Sequence, residues 1–145
     1  MTTIAANREG MASDSQATGG GVKTSVQKFW RIRGWLVGAA GQYSEIIETI
    51  DELKHHKELS PAEVFRRVSV KAKSSDFLLL SPSGQLWMSE EGKSPWRVQE
   101  GFAAIGSGQQ GAMVALHLGS TPQEAIKAVR KVDPYTGGRV ITRKL

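Results

Sequence analysis

The chain opens with short runs in which apolar and small residues alternate with polar ones, the period of a strand that buries one face. Residues 2–7 and 10–14 read as two strands around Arg8-Glu9-Gly10, a hairpin turn with its glycine. Taken alone, Thr2, Thr3 and Ile4 suit an edge strand. A stretch rich in Gly, Ser and Thr follows over 17–25, and three glycines in a row, Gly19 to Gly21, predict a flexible loop. Phe29, Ile32, Trp35, Leu36 and Val37 then flank Arg33-Gly34, so a second hairpin is expected over 26–32 and 35–40.

At Tyr43 the period changes to three and four residues. Tyr43, Ile46, Ile47, Ile50 and Leu53 form one stripe, which predicts an amphipathic helix over 42–56. Ser60, Pro61 and Glu63 supply a cap, a first-turn proline and an acid for a helix over 61–70. Another hairpin is expected over 77–80 and 85–89 around Pro82-Ser83-Gly84, followed by an extended segment that ends in glycines at 106–108. The next block reads as a helix to Leu118 with Gly119 closing it. Ser120 or Thr121, Pro122 and Glu124 start a last helix that turns Ala125, Ile126, Val129 and Val132 inward, and 138–144 reads as a strand. Segregated blocks of strands and helices argue α+β, with helices covering two packed antiparallel sheets.

Composition narrows this reading. A chain of 145 residues with 39% hydrophobic residues suits one domain, 1–145, with a real core. No apolar run reaches the ~18 residues of a membrane span, and the opening stretch lacks the basic start and apolar core of a signal peptide, so a cytoplasmic protein with no membrane partner is expected. The absence of cysteine removes disulfides, thiolate metal sites and cysteine nucleophiles. A net charge of +5 raises the question of nucleic acid. The cations read as scattered, however, and no helix-turn-helix spacing, zinc knuckle or aromatic RNA-binding motif accompanies them, which argues against that partner.

Chemistry-bearing residues fall at strand ends and junctions. If Met1 is removed, Thr2 carries a hydroxyl and a free α-amine on one residue, a nucleophile beside its own base. Asp14 ends the second strand, Lys28 begins the third, Gly38 precedes the first helix, Ser107 lies between strand and helix, and Asp133 and Thr136 lie before the last strand. Each has a plainer role open to it. Asp14 could make a turn, Lys28 could face solvent, Gly38 could allow close packing, Ser107 could cap a helix and Asp133 could end one.

The segments "TTIAAN…GMASDSQAT", "KFWRI…LVGAAG", "AIGSGQQGAMVAL" and "DPYTGG" together resemble, in order and over nearly the whole chain, the signatures of proteasome β-type subunits, nearest to bacterial HslV peptidases, in a short variant. The resemblance implies the N-terminal nucleophile (Ntn) hydrolase fold, a four-layer α-β-β-α sandwich. It implies a threonine-type endopeptidase in which Thr2, freed by loss of Met1, attacks a peptide carbonyl. Asp14 and Lys28 match the supporting acid and lysine, Gly38 the glycine whose N–H stabilises the oxyanion, and Ser107, Asp133 and Thr136 the groups near the N-terminal amine. It further implies a peptide substrate, a homo-oligomeric ring, an ATP-dependent unfoldase as possible partner, and no cofactor or metal. Specificity is expected near Ala40 and Gln42-Tyr43. A structural ring subunit without activity and an Ntn amidohydrolase acting on a small amide are the alternatives.

Overall fold

The computed structural model describes residues 2–57, 59–71 and 73–145, with the side chains of 69–71 left aside. Met1, whose removal is expected from the sequence, lies outside the described residues. The strands β1 (Thr3–Asn7), β2 (Gly10–Ser13), β3 (Gln16–Gly19), β4 (Val22–Ser25), β5 (Phe29–Ile32) and β6 (Trp35–Gly41) come first, followed by helices α1 (Tyr43–His55) and α2 (Pro61–Lys71). Then come β7 (Ser75–Leu80), β8 (Leu86–Ser89), β9 (Trp96–Arg97), β10 (Phe102–Gly106), helices α3 (Gln109–His117) and α4 (Pro122–Val129), and β11 (Ile141–Lys144).

Two antiparallel sheets form, one in the order β10-β1-β2-β11 and one in the order β5-β6-β7-β8-β9. The period-2 pattern of β6 decides the layering. Leu36 and Ala40 face the other sheet, where they meet Ile4, Met11 and Ile105, whereas Trp35, Val37 and Ala39 face α1 and α2 among Ile46, Ile50, Leu53 and Val64. Small residues do the corresponding job in β1, β2 and β10. Ala5, Ala12 and Ala104 let α3 and α4 approach closely, packing on Ala112, Ala125, Ile126 and Val129. The result is four layers, helix-sheet-sheet-helix.

Several expectations change. β1 lies inside its sheet, between β10 and β2, rather than at an edge, because its small and apolar residues are buried on both faces. The glycine-rich stretch is a two-stranded hairpin, β3-β4, whose Gly20 and Gly21 take φ of +56° and +76° at the turn. Its strands are polar and mostly exposed and carry no hydrophobic alternation, so no strand pattern marks them. Val132 lies past the end of α4 and is 79% exposed, so it is not part of the inward stripe. The last strand is shorter than expected and begins at Ile141.

The Arg33-Gly34 turn also ties the layers together. Arg33, at φ +45°, donates from its guanidinium to the carbonyls of Leu53 (3.0 Å), Lys54 (3.0 Å) and Lys57 (2.9 Å), at and just beyond the C-terminal end of α1. A cation there satisfies carbonyls the helix leaves unpaired and opposes the negative end of its dipole. Arg33→Ala is expected to destabilise the fold by about 1–2 kcal/mol, read as a lower urea midpoint at unchanged slope.

Candidate active site

The chain reaches the site through the start of β1. Thr2 is half-buried, and its carbonyl accepts the Ser107 N–H at 2.7 Å. Thr3 is fully buried and bonded on every side. Its N–H donates to Asp14 Oδ1 (3.0 Å), its carbonyl accepts the Asp14 N–H (3.2 Å), and its hydroxyl accepts the Gly108 N–H (3.0 Å). A backbone fixed this way fixes the position of the residue before it.

Asp14 is the centre of these contacts. Its side chain is 0% exposed and lies 2.8 Å from Lys28 Nζ, itself 3% exposed. The second carboxylate oxygen accepts the Gly137 N–H at 3.1 Å, and Lys28 Nζ also donates to the Gln16 carbonyl. Burial pushes the Lys28 pKa down, while the hydrogen bond and charge of Asp14 push it up; the balance leaves it below the ordinary 10.5.

A second chain of bonds runs through the loop after α4. Thr136 donates its only hydroxyl proton to Asp133 Oδ2 (2.6 Å), so the 2.6 Å contact between the Thr3 and Thr136 hydroxyls has Thr3 as donor. Ser107 Oγ donates to the same Asp133 oxygen at 2.7 Å, and the Tyr135 N–H to the other at 3.0 Å. Burial acts to raise the Asp133 pKa, but the bonds from Thr136, Ser107 and Tyr135 outweigh it and hold the carboxyl below the ordinary 3.8. Ser107 is therefore not a helix cap; Gly108 holds that position, and no side chain caps α3.

These parts meet at a cleft of about 570 Å³ whose wall includes Thr2, Lys28, Gly41, Tyr43, Gly106 and Ser107. Asp14, Asp133 and Thr136 stand behind that wall and act on it through Lys28, Ser107 and Thr3. Tyr43, expected on the buried stripe of α1, instead is 45% exposed and faces the cleft.

Gly38 is not in the site. It lies mid-ladder, opposite Phe29 and Leu78, and a Cβ there would stand 3.0 Å from Met11 Sδ and 3.1 Å from Ile4 Cγ2, between the sheets. Close sheet packing is its role. Gly41 is the glycine the sequence reading missed. It ends β6 at φ +133°, on the cleft wall, where a Cβ would strike the Ser74 carbonyl and Ser75. Ladder alternation turns its N–H to the same edge as that of Ala39, which donates to the Lys28 carbonyl. β5 starts at Phe29, so beyond Lys28 that edge has no strand and faces the cleft. The missed signal was the change of backbone geometry just before α1.

Among the described residues no helix is long and apolar enough to cross a membrane, and no group of three or more acidic or histidine side chains is placed to hold a metal.

No protein-family model and no curated protein matches the sequence. Solved structures do match over the full fold. Thiobacillus denitrificans BPH is 17% identical, with a TM-score of 0.82 over 99% of this chain and 97% of that one. The eukaryotic HslV from Trypanosoma brucei is 19% identical, with a TM-score of 0.77 over 98% of each chain. An Anbu (Gly-1) mutant from Hyphomicrobium sp. strain MC1 is 13% identical, with a TM-score of 0.78 over 100% of this chain and 82% of that one. At these identities the likeness is one of fold, and it agrees with the resemblance in the motifs: the four-layer α+β sandwich is that of proteasome-like Ntn structures.

Asp133→Asn is expected to cost about 1–2 kcal/mol near neutral pH, because the amide offers one acceptor oxygen for the bonds the carboxylate collects. The folded pKa lies below 3.8, so this stabilisation is full above that value and is lost as pH falls through the folded pKa. Urea unfolding of both proteins along a descending pH series should show the difference shrink below pH 3.8.

Proposed function

We propose that the protein is a threonine-type peptidase that hydrolyses peptide bonds through an acyl-ester on Thr2, after removal of Met1. The observation that carries this reading is that Thr2, Lys28, Gly41 and Ser107 line one cleft, with Lys28 held by a buried carboxylate.

In this reading the Thr2 hydroxyl gives its proton to the Thr2 α-amine, directly or through water, as its oxygen attacks the peptide carbonyl. The Lys28 ammonium lowers the cost of negative charge on that oxygen and favours the neutral amine. The Gly41 N–H, in place of Gly38, donates to the tetrahedral oxyanion, a kind of contact worth about 2.7–4 kcal/mol. Collapse passes the proton to the leaving amine and leaves the ester, which water then cleaves. Ser107 and Asp133 hold the Thr2 backbone and polarise its surroundings. The step as written uses groups of this chain alone. A ring of copies, an ATP-dependent unfoldase and a cytoplasmic setting belong to the same reading and rest on the resemblance.

A related structure is that of Thiobacillus denitrificans BPH in complex with epoxomicin, matched at 17% identity and a TM-score of 0.79. An epoxyketone of that kind needs both the hydroxyl and the free amine of an N-terminal threonine. Intact mass spectrometry after incubation with epoxomicin should show loss of Met1 and one stoichiometric adduct, absent in Thr2→Ala. Retained Met1 with no adduct would sink the mechanism. The adduct rate should rise with pH through about 7.7–8.0 as the amine loses its proton. It should then fall as Lys28 loses its own, at a pH below 10.5.

A further inference from the structure

Arg31 stands more than a hundred residues before Arg139 and Arg143 in the sequence. The fold brings them together. β5 and β11 are edge strands of their sheets, and on that side of the sandwich a second cleft, of about 500 Å³, opens between them. The three arginines line it with Ser15, Phe29 and Ile141, and among the described residues no carboxylate does. A concave surface with one sign of charge focuses its field and concentrates anions.

The guanidiniums hold donors in reserve. Arg31 gives one N–H to the Lys144 carbonyl and Arg143 gives one to the Thr142 carbonyl. The Arg139 side chain makes no hydrogen bond or ion pair among the described residues, and each guanidinium carries five N–H donors.

Gly138, at φ +73°, packs against the Ser15 hydroxyl and sets the backbone from which Arg139 projects: a Cβ at Gly138 would come within 2.8 Å of Ser15 Oγ.

We propose that this cleft binds a small molecule carrying an oxyanion, phosphate or carboxylate, held by the Arg139 guanidinium and by the donors that Arg31 and Arg143 hold in reserve, with its apolar part against Phe29 and Ile141. The volume lies in the range of small-ligand sites, ~300–1,000 Å³. Planar, forked donors suit the oxygens of either group. Val26 and Lys28 line both this cleft and the one that holds Thr2, so the two share a wall. The proposal does not depend on Thr2 being a nucleophile.

Isothermal titration calorimetry at low salt tests it, with inorganic phosphate in one arm and citrate in the other to separate the two oxyanions. Saturable one-site binding of at least one anion is expected. Arg139→Ala should weaken it by about tenfold or more, while Lys127→Ala, an exposed cation on α4, leaves it unchanged. No saturable heat from either anion at millimolar concentration would overturn the proposal. Equal losses in Arg139→Ala and Lys127→Ala would do the same, by reducing the effect to net charge. So would absence of anion binding together with a fall in solution mass in Arg139→Ala, which would assign the cleft to contacts between copies.

Discussion

Asp14 and Lys28 together take a carboxylate and an ammonium out of water at one end of a β-sandwich, and the arrangement of that end follows from how their demands are met. Desolvating each ion costs several kcal/mol, which mutual attraction offsets only when the remaining valences are also filled. Here they are filled by backbone: the Thr3 and Gly137 N–H groups for Asp14, the Gln16 carbonyl for Lys28. Three separate segments are thereby fixed to one point. They are the start of β1, the loop before β11 and the turn into β3. Thr2, one residue before Thr3, inherits its position from this arrangement.

The sandwich supplies the opening into which that point faces. β5 and β6 part company after the Ala39–Lys28 bond, and β6 continues to Gly41 alone on that side. The chain that would have continued β5 backwards, Val26 to Lys28, becomes the wall of both clefts. Packing decides how near the layers come. Gly38 lets the sheets close over Met11 and Ile4, and the alanines of β1, β2 and β10 let α3 and α4 close over the other face. A side chain at either place would move the strands that carry Lys28 and Thr3.

Much of this was legible in order and type. The stripe Ile46, Ile50, Leu53 and the Thr121-Pro122-Glu124 start are local signals, strong because capping and periodicity act within a few residues; Thr121 Oγ1 accepts the Glu124 N–H at 3.2 Å as its type suggests. Asp14, Lys28, Ser107, Asp133 and Thr136 were nameable from motifs, and the fold brings all five around the start of β1. What the sequence hid was non-local. Gly38 and Gly41 sit in the same motif, and which of them borders the cleft depends on where β5 leaves the ladder. The β3-β4 hairpin carries polar residues that look like a loop until its strands pair with each other. Three arginines spread from 31 to 143 form one surface because β5 and β11 end up at the same side.

The claim most open to a direct check is that Asp14 and Lys28 act as one unit rather than as two polar residues that happen to touch. A double-mutant cycle on unfolding free energy, with Asp14→Asn, Lys28→Met and both together, measures it. The account predicts that each single change is strongly destabilising, by about 3–5 kcal/mol, because it strands the other partner in the interior, and that the double variant recovers much of that loss. Additive losses, with a coupling energy near zero, would contradict it.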